Sequence, residues 1–167
     1  MELAYIGLGS NLGEPEAQLR AALDALGALP ASQLVQTSSL YSSAPLGPAD
    51  QPRYVNAVAA LRTDLSPLAL LDALQHIEQT QGRVRKAERW GPRTLDLDIL
   101  LFGQQRLDLP RLQVPHYHMH LRAFVLYPLA EIVGEQFLLP DGQRLSALLR
   151  ACPAGDLQRL PAAGEAR

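Results

Sequence analysis

Thr94-Leu-Asp96-Leu-Asp98-Ile-Leu-Leu101 is the stretch from which the 167-residue chain is best read. Aliphatic and β-branched residues interleave with two aspartates at i and i+2, the pattern of a strand with one polar and one apolar face. Side chains alternate along a strand. Asp96 and Asp98 therefore project together, roughly 6.6 Å apart along the chain, and Leu97, Ile99 and Leu101 turn into a core. Directly before it lies Arg83-Val-Arg85-Lys86-Ala-Glu-Arg89-Trp90-Gly-Pro-Arg93, which holds five cations and the single tryptophan. Adjacent carboxylates repel unless a cation lies between them, and magnesium held by carboxylate oxygen is the usual solution. Arginine forks match phosphate oxygens. Acids for a metal beside arginines for phosphate imply nucleotide phosphoryl transfer. The plain alternative is a solvated basic surface with weak ion pairs. Clustering argues against it, because five of the fifteen Lys and Arg fall here and Trp90 sits amid charge. Gly91-Pro92 sets a tight turn that aims Arg93 toward the strand.

Working outward, residues 3–8 read as a buried strand closed by the glycine-rich turn Gly7-Leu-Gly9-Ser-Asn11-Leu-Gly13. A helix follows from Pro15 to Gly27, with Leu19, Ala22, Leu23 and Leu26 as its apolar stripe. Residues 34–41 and 54–61 read as strands around a proline-punctuated loop. Tyr54, Asn56 and Val58 fall on one face of the second, and Val55, Ala57 and Ala59 on the other. Ser66-Pro67 starts a helix ending at Gly82, with Leu68, Leu71, Leu74 and Ile77 inward. The order β-α-β-β-α-β is the split βαβ arrangement, a ferredoxin-like α+β core. Beyond it, residues 122–132 form a helix interrupted at Pro128, and residues 145–151 a short last helix. These additional C-terminal elements make a three-layer αβα sandwich. Residues 1–152 read as one domain, and the Ala/Pro/Gly-rich residues 153–167 as a loose tail.

Composition narrows the class. A hydrophobic content of 47% and a charged content of 19% describe an ordinary soluble domain. A net charge of −2 argues against a general nucleic-acid binder. Cys152 alone excludes a disulfide framework and suits a reducing cytosol. No signal segment and no long apolar run appears, so a cytoplasmic protein is expected. No long apolar stripe is left for an interface, and a monomer is expected.

Familiar glycine loops do not explain the site. The third glycine of a dinucleotide fingerprint would fall on Leu12, and no Gly-Lys-Ser/Thr occurs. Gly9 and Asn11 read as shapers of a turn. His116, His118 and His120 alternate, a spacing open to a transition-metal site, but without a nearby Cys or carboxylate they read as polar surface. His116, after Pro115, is the one to single out as a phosphate or ribose donor. Tyr54 and Phe124 fit two readings equally: ordinary core, or the flanks of a planar heterocycle whose edge Asn56 reads with one donor and one acceptor.

Arg89-Trp-Gly-Pro-Arg93-Thr-Leu-Asp96-Leu-Asp98-Ile-Leu100 resembles the signature of the 6-hydroxymethyl-7,8-dihydropterin pyrophosphokinases of folate biosynthesis. Tyr5-Ile-Gly-Leu-Gly-Ser-Asn-Leu, Pro45-Leu-Gly-Pro, Gln51-Pro-x-Tyr54-x-Asn56, Glu78-x-x-x-Gly82-Arg83, Val114-Pro-His116 and Arg122-x-Phe124-Val-Leu-x-Pro-Leu129 match in order, over about residues 3–145. The resemblance implies transfer of the β,γ-diphosphate of ATP to the pterin hydroxymethyl oxygen, with AMP leaving. It implies two magnesium ions on Asp96 and Asp98, and Arg83 and Arg93 on the transferring group. By the same resemblance Arg85, Arg89 and Trp90 would ride on a closing loop. Tyr54 and Phe124 would sandwich the pterin, aided by Trp90, and Asn56 with the backbone of Ser43, Ala44 and Leu46 would read its edge. Gln75, Glu78, Ile99, Arg111, Gln113, His116, Tyr117 and Arg122 would serve ATP. Ser43-Ala44 replaces the Thr-Pro of close relatives, and Gln113 stands where threonine often lies. A ferredoxin-like RNA-binding module and a catalytically silent nucleotide-binding module are the alternatives. Leu97, Ile99 and Leu101 offer no aromatic, basic sheet face for RNA.

Overall fold

In order, the chain lays down β1 (Glu2–Ser10), α1 (Pro15–Gly27), β2 (Ser32–Thr37), β3 (Tyr41–Ser43), β4 (Tyr54–Thr63), α2 (Pro67–Gly82), β5 (Asp96–Phe102), β6 (Leu107–Leu109), β7 (Leu112–Val114), a 3-10 turn (Met119–Leu121), α3 (Ala123–Val133), α4 (Leu145–Ala151) and β8 (Gln158–Arg159). These elements come from a computed structural model that describes residues 1–11, 14–43, 53–82, 95–116 and 119–161. Every pairing in the main sheet is antiparallel, in the order β5-β1-β4-β3-β8 with β2 also on β4. β6 and β7 form a separate hairpin.

Strand alternation decides the two cores. Ala4, Ile6, Leu8, Val55, Ala57 and Ala59 meet Leu19, Ala22 and Leu26 of α1 and Leu70, Leu74 and Ile77 of α2. On the opposite face Tyr5, Val58, Ala60 and Leu100 meet Leu126 and Leu129 of α3 and Leu145 and Leu148 of α4. Burying each Leu or Ile stabilises the fold by about 1.5–3 kcal/mol. The expected α+β core, with helices on both faces of the sheet, is the observed architecture.

Several local expectations are corrected. Leu101 does not share a face with Leu97 and Ile99. A bulge sets both Leu100 and Leu101 against Tyr5, so they join the α3 side while Phe102 returns to the α1–α2 side. In α2 the inward row is Leu70, Leu74 and Ile77, and Leu68 is exposed. One strand expected over residues 34–41 is two, because Ser38 replaces the lost ladder contacts. Its amide donates to Val58 O, and its hydroxyl accepts from Val58 N at 2.9 Å and donates to Ser39 O at 2.7 Å. α3 runs through Pro128 without a break, although Pro128 has no N–H for the Phe124 carbonyl. Leu126, Pro128 and Leu129 are all buried, so packing outweighs the missing bond. The hairpin β6–β7 was not anticipated.

The segment beyond Cys152 is also not loose as far as Pro161. β8 pairs Arg159 with Tyr41 and Gln158 with Ser42, and Leu160 N donates to Leu40 O at 2.8 Å. Leu160 packs against the α1–α2 core, and that apolar contact outweighs the Ala/Pro/Gly composition. Residues 162–167 lie outside the described residues.

Candidate active site

Asp96 and Asp98 stand exposed on β5, an edge of the sheet. Their cross-strand neighbours on β1 are Gly9 and Gly7, and beyond these on β4 lie Asn56 and Val58. The two glycines, expected in a turn, are in the strand instead, since β1 continues to Ser10. They put no side chain on this face, so the floor between the acids and Asn56 is backbone. With strands about 4.8 Å apart, the acids lie about 10 Å from β4 and about 14 Å from β3. A cavity of about 650 Å³ opens over this row.

Tyr54, Asn56 and Phe124 line the cavity, as do Ser43 and Arg122. Asn56 is 7% exposed. Its Nδ2 donates to Leu8 O at 3.4 Å, and its Oδ1 has no partner among the described residues. A buried acceptor left open in this way seeks a donor from a ligand. Gly9 is required beneath it, because a Cβ there would fall 2.7 Å from Asn56 Nδ2. The Arg122 guanidinium lies 5.6 Å from the centre of the Phe124 ring, a cation–π contact that brings a cation to the cavity wall.

A second cavity of about 280 Å³ adjoins the first, and both include Asp98 and His116 in their walls. Ile99, Arg111 and Gln113 line it, the latter two delivered by the β6–β7 hairpin. Arg111 donates to Asp72 Oδ1 at 2.6 Å and Gln75 Oε1 at 3.2 Å, an exposed arrangement of small energetic worth. His116, just after the cis Val114–Pro115 peptide, is fixed by the hydrogen bond its backbone N–H donates to Leu100 O at 3.0 Å. Its Nε2 lies 4.0 Å from Asp98 Oδ1, an ionic contact only when the imidazole is protonated. Glu78 reaches from α2 to accept the Leu97 amide at 2.7 Å, which fixes the strand between the two acids.

The structure thus brings together Asp96, Asp98, Ser43, Tyr54, Asn56, Phe124, Arg122, His116, Ile99, Arg111 and Gln113, with Gln75 and Glu78 one contact away. Arg83, Arg85, Arg89, Trp90, Arg93, Ala44, Leu46 and Tyr117 lie outside the described residues, as does His118. His120 is exposed in the 3-10 turn rather than in an extended run with His116. Gly7 as floor, Asp72 as the Arg111 partner and residues 154–157 as wall escaped the sequence reading. Gly7-x-Gly9 has the same period of two as Asp96-x-Asp98, a signal that was there to be used. Among the described residues no group of three or more His, Cys, Asp or Glu makes a closed metal cage. Two carboxylates on an open wall fit magnesium, which keeps waters and takes its other oxygens from phosphate.

Fold and site together define a class: a ferredoxin-like α+β domain with paired acids beside two adjoining cavities that share Asp98. Residues 5–134 match the family described as 7,8-dihydro-6-hydroxymethylpterin-pyrophosphokinase. The chain belongs to that family. It is 64% identical over 163 residues to the 2-amino-4-hydroxy-6-hydroxymethyldihydropteridine pyrophosphokinase of Pseudomonas aeruginosa, covering 98% of this chain and 99% of that one. Against the Haemophilus influenzae protein of the same name it is 57% identical over 150 residues, 90% of this chain and 92% of the other. Among solved structures, Plasmodium falciparum HPPK-DHPS with pteroate superposes with a TM-score of 0.70 at 13% identity. That match covers 90% of this chain but only 42% of the Plasmodium chain, and at such identity it speaks for the fold alone.

Proposed function

We propose that the chain transfers the β,γ-diphosphate of ATP to 6-hydroxymethyl-7,8-dihydropterin, giving the pterin diphosphate and AMP for folate biosynthesis. The observation that carries the reading is the shared wall: Asp98 and His116 belong to both cavities, so two substrates in them would meet at the acids. The larger cavity takes the pterin, with Tyr54 and Phe124 against the ring and Asn56 Oδ1 accepting a ring N–H. The smaller takes ATP, between Ile99, Gln113 and Arg111, with His116 and Arg122 able to donate toward phosphate.

Transfer makes one bond, from the hydroxymethyl oxygen to the β-phosphorus, as that oxygen gives up its proton to solvent, and breaks the bond from that phosphorus to the α,β-bridging oxygen, which leaves with AMP. Such chemistry needs alignment and positive charge more than covalent help. Magnesium, two ions by the family resemblance, would be held by Asp96 and Asp98 and would neutralise charge on the phosphates. The chain's own share is positional. β5 holds the acids rigid, Glu78 fixes the strand between them, and the glycine floor lets a ring lie flat on the sheet. Arg83, Arg85, Arg89, Trp90 and Arg93 are assigned to the transferring group and the ATP by the family signature. The same reading makes the protein cytoplasmic, supported by its single cysteine, and a monomer. No helix among the described residues is long and apolar enough to cross a membrane.

The test is product analysis with ATP, magnesium and the dihydropterin. AMP released only when the pterin is present is the expected result. ADP, or AMP without pterin, would overturn the assignment.

A further inference from the structure

Residues 152–161 lie beyond the 5–134 span that matches the family, yet Ala154, Asp156 and Leu157 line the larger cavity. The segment is held at both ends. Tyr127 donates its hydroxyl to Cys152 O at 2.9 Å, and β8 adds to the sheet beside β3. Between these anchors it turns at Gly155, whose φ of 62° lies in the left-handed region that favours glycine. Leu157 N then closes the turn on Ala154 O at 3.1 Å.

One guanidinium joins this strap to the substrate-facing strands. Arg53 donates from Nε to Ser42 Oγ at 2.7 Å. It also reaches Asp156, from Nη1 to Oδ2 at 3.3 Å and from Nη2 to the carbonyl at 3.4 Å. Ser42 precedes Ser43 and Arg53 precedes Tyr54, both lining residues, so the contact ties three elements together where they meet at the rim. The sheet order puts β3 and the strap at the end of the cavity away from Asp96 and Asp98. A ring pushed toward that end would carry its reactive arm out of reach of the acids.

We infer that the strap is the end wall of the pterin cavity, latched by Arg53 and Asp156, and that it positions the pterin for attack. The inference rests on the larger cavity being the pterin site. Arg53 and Asp156 are positioning residues, so their loss falls on the pterin and spares the nucleotide.

The experiment is steady-state kinetics of Arg53→Ala, Asp156→Ala and the exchanged pair Arg53→Asp with Asp156→Arg, with KM measured separately for pterin and ATP. Each single change should raise the pterin KM about two- to five-fold, the size set by one partly exposed ion pair. ATP KM and thermal midpoint should stay unchanged, and the exchanged pair should recover most of the loss. Unchanged pterin KM in both single variants would overturn the latch, as would equal rises for both substrates. So would a loss in Asp156→Ala some tenfold beyond that in Arg53→Ala without recovery in the exchanged pair, which would mean direct substrate contact. If the wild-type protein released no AMP, the proposed reaction would fail. The latch would then be decided by calorimetric binding of the dihydropterin alone to the same variants, with the same pattern expected in Kd.

Discussion

Gly9→Ala tests whether the backbone floor and the Asn56 amide work as a unit. The added methyl would stand 2.7 Å from Asn56 Nδ2, against an ordinary contact of 3.4–4 Å, so the amide must retreat by about 0.7 Å or more. It has little slack, since its bond to Leu8 O is already 3.4 Å long and the residue is 7% exposed. Displacing it breaks that bond and moves Oδ1 from the place where it meets the pterin. Leaving the ring N–H buried without its acceptor costs about 1–3 kcal/mol. That corresponds to a pterin Kd weaker by roughly 5- to 150-fold. Overpacking lowers stability by about 1–3 kcal/mol besides. Gly7→Ala separates the floor from the amide: its methyl also stands on the floor, but its nearest neighbours are atoms of the buried Leu100 side chain, the closest at 3.3 Å, so the Asn56 amide stays in place. The assay is calorimetric titration of both variants with dihydropterin, and separately with an ATP analogue, alongside thermal unfolding. Gly9→Ala should lose pterin affinity at least fivefold more than Gly7→Ala while nucleotide affinity holds. Equal pterin affinity in wild type and Gly9→Ala would refute the reasoning, because the amide would then have moved without consequence.

Asp96→Asn and Asp98→Asn should each reduce AMP formation about a thousandfold or more, and remove the rise in thermal midpoint produced by ATP with magnesium. Without ligand they should be as stable as wild type or up to about 1 kcal/mol more stable, since two like charges a few ångströms apart repel by about that much near water. Glu78→Ala should lower stability by about 1–3 kcal/mol in urea unfolding, because the Leu97 amide loses its charged acceptor, and kcat should fall as the acids lose their fixed strand. Tyr41 gives a pH signature. Burial, aided by its hydrogen bond to Glu131, pushes its phenol up to about 12 from 10.0. The folded state therefore favours the neutral phenol; that contribution is whole below pH 10 and is lost as pH rises through 12. Urea midpoints should fall across that window, and less steeply in Tyr41→Phe; Tyr5, also raised by burial, contributes in the same direction.

The acids and their strand were legible because a period of two is a local property: Asp96 and Asp98 must share a face wherever the strand is placed. The same logic failed four residues on. Leu100 and Leu101 both face α3 because β5 bulges against Tyr5, and a bulge is set by the partner strand. Gly7 and Gly9 looked like turn residues by type. Pairing with Asn56 and Asp96 on either side of Gly9 kept them in β1, where their missing side chains became the cavity floor.

Sequence alone therefore determined the β-α-β-β-α-β order of the core and the acid pair, since each rests on patterning within single segments, whereas the aromatic and amide residues for a flat ring came only with the family resemblance. Tertiary structure decided which surfaces face each other. The meeting of two cavities at Asp98 and His116, the open acceptor of Asn56 and the strap that Arg53 holds against the cavity join residues up to about a hundred positions apart. Separations of that size leave no mark in local periodicity, because only the packing of helices on both faces of the sheet brings those segments together.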